Sequence, residues 1–425
     1  MASTPPIPLP NPDGPLAGYR VLDLADEKGQ LCARILGELG ADVIKVEARD
    51  GDPTRRNGPF FKGDQSPNMS LYWWAMNAGK RSVTCELRLE AGRDLFRRLV
   101  AQADFVIETT MPGDMEALGL GYTALKAVNP GLIMVSITNF GQTGPYARWT
   151  ATDIVGSAMG GQMYLNGDPE HGPVRTTAPQ AYAQVNFQAA VGAMTALYAR
   201  GVNDGLGQHV DVSMQESMCV AMDNTQPIWD IRKINASGPG VRRNSTGVLG
   251  TRYLFETVDG WIAALQVGGL IGPGANAIID WLAAEGEARG LDSDAWRARL
   301  TALVPLAPDE TAYVEETFAA FCRTRKKEDL VAEAQRRASG WAPVFSPREV
   351  VESKQLAGRD YWVRVNHEDL GESFVYPGAP FKLSETPWRQ RGRAPHVGEH
   401  NEQVYAEMLG IEPTELRRLK ARMVV

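Results

Sequence analysis

Apolar and polar positions in the first 140 residues alternate between two textures. Val21-Leu22-Asp23-Leu24 is a short apolar run of the kind a buried strand needs. Leu31, Ile35, Leu36 and Leu39 then recur at helical spacing until Gly40 stops them, and Val43-Ile44-Lys45-Val46 predicts a second strand. The unit takes 26 residues, as a right-handed parallel crossover would. The pattern repeats with strands at Ser82–Leu87, Phe105–Ile107 and Leu132–Ile137, and with a helix carrying Leu95, Phe96, Leu99 and Val100. It predicts an α/β protein with an open, mostly parallel sheet and helices on its faces.

Further on, Gln184–Arg200 predicts a long apolar helix and Gln208–Met214 another strand. The texture changes over residues 226–343, where a strand pair around Tyr253–Ala264, turning at Asp259-Gly260, precedes helical stretches rich in Ala, Glu and Arg. This predicts a smaller domain after a large one spanning 1–225. Residues 344–425 return to short strands and prolines, with a last helix at Glu402–Leu409.

A chain of 425 residues that is 44% hydrophobic exceeds one ordinary core. Its net charge of -7 gives no basic excess for nucleic acid. Cys32, Cys85, Cys219 and Cys322 lie far apart, form no CxxC pair, and read as buried apolar filler. His171, His209, His367, His396 and His400 are scattered without metal-ligand spacing, and His209 reads as structural. No run reaches the ~20 apolar residues of a membrane helix, and the proline-rich stretch from Met1 to Pro15 has no apolar core. A cytoplasmic protein is the expectation. The turn after the first strand, Ala25-Asp26-Glu27-Lys28-Gly29, lacks GxGxxG and sets two acids where a pyrophosphate would dock, which disfavours an ordinary dinucleotide site.

A series of blocks carries more specific information. They are Gly40-Ala41-Asp42-Val43-Ile44-Lys45-Val46-Glu47 with Gly51-Asp52-Pro53 and Arg55; Asn77-Ala78-Gly79-Lys80-Arg81-Ser82; Ala103-Asp104-Phe105-Val106-Ile107-Glu108 with Pro112-Gly113; Phe140-Gly141-Gln142-Thr143-Gly144-Pro145; Gly205-Leu206-Gly207-Gln208-His209-Val210-Asp211-Val212; and Gly378-Ala379-Pro380-Phe381. In order and spacing, over roughly Gly18–Gly410, the chain resembles the class III (CaiB/BaiF-type) CoA-transferase family. The resemblance implies a Rossmann-like large domain built from both ends of the chain, with residues 344–425 completing it. It also implies a small α+β domain and two chains threaded through each other as an interlocked dimer. The segments Asp223–Asn235 and Trp341–Arg348 are expected to be extended crossing linkers.

The family moves coenzyme A from an acyl-CoA to a carboxylic acid, through an Asp nucleophile near the start of the long helix. That position falls at Ala181 or Tyr182, and no Asp or Glu occurs between Val174 and Val202. Nearby Asp168 sits in a turn context, Asn166-Gly167-Asp168-Pro169, where it caps its own backbone. Tyr182 is a poor substitute nucleophile, since a phenol of pKa ~10 is little ionised at neutral pH. Thr152 replaces the His that the racemase branch sets before its Asp-Ile, here Asp153-Ile154. Ala48, Ala78 and Met111 stand where the family often has basic or small residues, whereas Arg55, Lys80 and Arg81 remain as expected CoA-binding residues.

The resemblance therefore implies a subunit without a catalytic residue of its own and without a resident cofactor. Acyl-CoA would be the substrate of a complex with a sister chain that carries the Asp. The E-type subunit of two-gene enzymes such as succinyl-CoA:benzylsuccinate CoA-transferase is the nearest analogue. The alternatives are a homodimeric lyase or isomerase using Tyr182 or Asp153, and a CoA-ester binding protein without catalysis. Tyr72 and Trp73-Trp74 are read as helix core in preference to an adenine platform. Arg242-Arg243-Asn244 is either an anion site or an exposed turn. Gly268-Gly269 with Gly272-Pro273-Gly274 is either a mobile site loop or a plain connection.

Overall fold

The computed structural model describes residues 14–168, 170–222, 225–238, 240–242, 252–264, 272–302, 304, 306–337 and 340–425. The chain divides into two compact units. One comprises 1–162, 176–221 and 355–425, and the other 163–175 and 222–354.

The first unit is built on six strands, β1 (Arg20–Asp23), β2 (Asp42–Glu47), β3 (Arg81–Thr84), β4 (Phe105–Glu108), β5 (Ile133–Thr138) and β6 (His209–Ser213). They pair in the order β3-β2-β1-β4-β5-β6, every pair parallel. This is the doubly wound order, in which the direction of winding reverses between β1 and β4. Strands covered on both faces read as near-continuous apolar runs. Val21, Phe105, Ile107, Ile133, Val135 and Ile137 pack on one face with α1 (Gln30–Glu38). Leu22, Ile44, Val83, Val106 and Met134 pack on the other with α3 (Glu90–Val100), which follows α2 (Leu71–Asn77) in the chain. α3 carries Glu90 in its first turn and Arg97 and Arg98 in its last, matching the helix dipole.

Beyond β5 the chain forms α4 (Asp153–Met159), α5 (Gln180–Val202) and α6 (Met214–Val220). α5 presents a small-residue face of Ala181, Val185, Ala189, Ala193 and Ala196 to the sheet.

In the second unit β7 (Leu254–Thr257), β8 (Gly260–Ala264) and β9 (Trp341–Pro343) form an antiparallel sheet. Helices α7 (Gly272–Ala284), α8 (Pro308–Arg323) and α9 (Lys327–Arg336) surround a core of Phe255, Ile262, Phe318, Phe321 and Trp341.

The chain then returns to the first unit as a hairpin of β10 (Trp362–His367) and β11 (Glu372–Pro377), followed by α10 (Asn401–Leu409) and α11 (Pro413–Ala421). This segment covers the outer side of edge strand β3. Ser82 N donates to His400 Nδ1 at 3.0 Å, and His400 N donates to the Ser82 carbonyl at 2.9 Å. Asn401 Oδ1 accepts from Thr84 N at 2.8 Å, and the Tyr405 hydroxyl donates to the Thr84 carbonyl at 2.6 Å. An exposed edge would offer these groups to any other strand; here they are paired.

Several expectations are corrected. The third strand ends at Thr84, because Cys85–Leu87 lead into a turn in which Leu89 N bonds the Glu86 carbonyl. His209 lies within the strand read at Gln208–Met214, opening β6, and its ring bonds the Ser136 hydroxyl. Cys219 is exposed, unlike the three buried cysteines. Thr225–Arg232 is helical, so that segment is not an extended linker; Asp223 and Asn224 lie outside the described residues. Trp341–Pro343 is strand β9 and Pro347 begins a short helix. Gly272-Pro273-Gly274 opens α7 and is not a loop, while Gly268, Gly269, Arg243 and Asn244 lie outside the described residues. Arg242 pairs with Glu315. Trp73 and Trp74 are helix core, as read from sequence.

Candidate functional site

In a doubly wound sheet the crevice outside the carboxyl ends of the strands, where winding reverses, is the place a ligand enters. Here that place lies beyond β1 and β4, and the turn Ala25–Gly29 occupies it. The Leu24 amide bonds the Ile107 carbonyl at 2.8 Å, and the Asp26 amide bonds the Thr109 hydroxyl at 2.9 Å, which fastens the turn to the end of β4. The Asp26 carboxylate is used locally, accepting from the Lys28 amide at 3.0 Å and pairing with its ammonium. Gly29 has to be glycine, since a Cβ there would lie 2.6 Å from the Ala25 Cβ.

α5 reaches this turn with Tyr182, while the preceding Ala181 packs into the core. Ala181 is fully buried, and a Cβ added at Gly156 would come within 2.9 Å of the Ala181 Cβ. The α5 N-terminus has no side-chain cap of its own. Buried Asp153, the first residue of α4, accepts from the Tyr182 amide at 3.1 Å and serves instead. The half-buried Tyr182 hydroxyl donates to Glu27 Oε1 at 3.1 Å. The other oxygen of Glu27 accepts from Asn57 Nδ2 at 3.0 Å. Asn186, one turn further along α5, donates to the Tyr182 carbonyl at 2.7 Å and accepts from the Cys32 amide at 2.7 Å, which ties α5 to α1. Burial, then the charge of Glu27 and its hydrogen bond, push the Tyr182 phenol well above the ordinary tyrosine value. Tyr72 is raised likewise, by burial first and then by Glu27 and Asp26. Both phenols are neutral at physiological pH.

Beneath the turn lies a buried charge network. Lys80 Nζ donates to Asp23 Oδ2 at 2.7 Å, to the Gln30 carbonyl at 2.8 Å and to Asn77 Oδ1 at 2.8 Å. Burial brings Lys80 down to about 8, with Asp23 pulling the other way. Lys45 pairs with Asp52 at 2.8 Å and reaches the Ala25 carbonyl. Arg55 is clamped by Glu47 through two bonds of 2.8 and 2.7 Å and lies 3.7 Å over the Trp73 ring. Arg81 bonds Asp42 and, at 2.9 Å, Glu407. The three cations expected at a CoA site are therefore 1% (Arg55), 3% (Lys80) and 8% (Arg81) exposed, each committed to a carboxylate.

Asp168 belongs to the second unit, where its Oδ1 caps the Glu170 amide at 2.9 Å. Thr152 is the N-cap of α4 and makes no side-chain cap bond. Sequence reasoning noted Glu27 and Tyr182 separately but not their contact, and it missed Asn57 and Asn186. A buried Asn in an Ala- and Val-rich helix was the available signal for Asn186. Among the described residues no cluster of His, Cys, Asp or Glu could hold a metal, and no helix is long and apolar enough to cross a membrane.

A crevice at this switch point, faced by the start of a long helix, matches the family whose blocks the sequence carries. The chain belongs to CoA-transferase family III, whose model matches residues 16–401. It is 34% identical over 400 residues to the succinyl-CoA:(R)-benzylsuccinate CoA-transferase subunit BbsE of Thauera aromatica, covering 92% of this chain and 93% of that one. It is 31% identical over 417 residues to the beta subunit of the succinyl-CoA–L-malate CoA-transferase of Chloroflexus aurantiacus, covering 97% and 98%. The crystal structure of a CaiB/BaiF family protein from Brucella suis superimposes with a TM-score of 0.79 at 30% identity, covering 93% of this chain and 99% of that one.

Proposed function

We propose that this chain is the non-catalytic subunit of a two-chain CoA-transferase. The complex would move CoA from an acyl-CoA such as succinyl-CoA to a carboxylic acid, with the nucleophilic Asp supplied by a sister chain. The observation that carries the reading is the Tyr182–Glu27 contact. Where the family needs a free carboxylate, one candidate position is a sealed alanine and the other a neutral phenol hydrogen-bonded to an acid. An anhydride requires an ionised carboxylate with an open approach to the thioester, and neither position offers one. The carboxylate of Glu27, which has no cation partner among the described residues, also repels a phosphate-rich ligand.

Arg55, Lys80 and Arg81 would serve CoA binding through the elements they hold, since their donors are engaged. A threaded arrangement would supply a reason to keep such a chain, because its fold would complete the partner's site. Phe187, Val191, Tyr198 and Val202 support association: they form an exposed apolar stripe on α5, at 49%, 61%, 76% and 72% exposure. Relatives that are named subunits support it too.

The test is to assay the chain alone and co-expressed with a family III sister that carries the Asp, using succinyl-CoA and a panel of carboxylates. The chain alone should not turn over, and mixed complexes should. Turnover by the chain alone at ~1–10³ per second, the ordinary enzyme range, or a hydroxylamine-sensitive acyl adduct on Glu27 would overturn the reading. So would the formation of homodimers only.

A further inference from the structure

Hairpin β10–β11 and the segments on either side of it border an open concavity of about 530 Å³ in the first unit. Its lining carries four basic side chains, Arg359, Arg364, Lys382 and Arg389, and one acid, Asp360. Lys382 is paired with Asp360 at 3.2 Å, so the only carboxylate of the lining is already neutralised. Arg359 and Arg364 have no acid partner among the described residues. A surplus of positive charge in one concavity contrasts with the net charge of -7 for the whole chain and focuses an anionic ligand there.

The wall of the cavity is an indole held at both ends. Trp388 Nε1 donates to Glu38 Oε2 at 3.0 Å. The opposite edge of the ring lies against Gly378, where an added Cβ would stand 3.4 Å from Cζ3 and 2.6 Å from the Tyr361 carbonyl. Gly378 thus keeps room for both the ring and the hairpin. A fixed aromatic plane bordered by guanidinium groups suits a flat ring joined to phosphate. Arginine binds phosphate through two parallel donors, and the indole face stacks on the ring. The volume falls within the range of small-molecule sites.

We propose that this cavity is a binding site for a nucleotide, a planar base carrying at least two negative charges. The site is independent of the transferase reading, because none of its residues borders the Tyr182–Glu27 turn by a hydrogen bond or ion pair given above.

Calorimetry on the full-length chain, with ATP as probe, tests it. ATP should bind with a dissociation constant below 1 mM, on the order expected for a few charge-assisted contacts. The exposed pair R359A/R364A should weaken binding by about tenfold or more. Pyrophosphate, which lacks the ring, and adenosine, which lacks the charge, should each bind more weakly than ATP. W388F should reduce the quenching of tryptophan fluorescence by ATP. Coenzyme A serves as a separate arm, because competition with ATP would show that the nucleotide end of CoA is the natural occupant. Absence of ATP binding, or ATP affinity unchanged by R359A/R364A, would overturn the proposal. If W388F fails to fold, the arginine pair still decides the matter, since neither side chain holds the fold together.

Discussion

The pairing of His400 with Ser82 makes a quantitative demand on stability at acid pH. His400 is 3% exposed, and its Nδ1 accepts the Ser82 amide at 3.0 Å, so the ring must be neutral there. Burial, opposed by Glu399 and reinforced by Arg81 and Arg393, brings its pKa from 6.5 down to about 4. In the unfolded chain the imidazole takes up its proton at the ordinary value. Between these two values the unfolded state binds more protons, so stability is full above about 6.5 and is lost as pH falls toward 4. A difference of about 2.5 units at 1.36 kcal/mol each gives about 3 kcal/mol. The perturbation is His400→Gln, which removes the titrating group. Urea unfolding should be followed at fixed chain concentration, because association shifts apparent stability. Carboxylates contribute to the slope in both proteins, so the difference between them is the quantity to read. Wild type should lose about 3 kcal/mol more than the variant between neutral pH and about pH 4. Parallel pH profiles would refute the buried neutral histidine and the edge contact built on it.

Tyr182→Phe and Glu27→Gln, measured singly and together, should show a coupling of about 1.5 kcal/mol in unfolding free energy, the low end for a hydrogen bond to a charged group; additive effects would mean that the two do not touch. Tyr182→Asp should leave the isolated chain without transferase activity, because the new carboxylate would face Glu27 in an acidic crevice; measurable CoA transfer to a carboxylate would show that the missing acid was the sole defect. Arg55→Met should cost about 3–5 kcal/mol, since it strands Glu47 as an unpaired buried charge; a neutral effect on the urea midpoint would show that Glu47 relaxes to water. At low micromolar concentration the chain should sediment as a dimer or larger, and a compact monomer would refute the threaded assembly.

Much of the sheet was legible because parallel strands buried on both faces leave continuous apolar runs, as at Val21–Leu24 and Val43–Val46. The third strand was read too long because Leu87 also packs on the core, from a turn. α11 was missed because Leu416 and Leu419 alone mark its buried side. Thr225–Arg232 was read as extended since Pro227 breaks a helical pattern, yet proline is tolerated in the first turn of a helix. The candidate site was legible as a position and not as a contact. The loss of acid near residue 181 shows in the sequence, but Glu27 and Tyr182 stand 155 residues apart, and only the fold brings them together. The same holds for Lys80, which sequence treated as a ligand group and which the fold surrounds with Asp23, Gln30 and Asn77.

The covering of β3 by α10 sets a schedule for the ribosome. Residues 81–84 leave the exit tunnel long before His400, Asn401 and Tyr405, which quench their outward amides and carbonyls. At a synthesis rate of ~5–20 residues per second, the interval is roughly 15–65 seconds. For that time the nascent sheet carries an open, pairable strand at its margin, next to whatever other nascent chains share the polysome. A message cut short before codon 400 would make that exposure permanent. The segment around residue 400 thus acts as a completion signal, and premature stop codons before it should yield aggregated protein rather than a shortened soluble one.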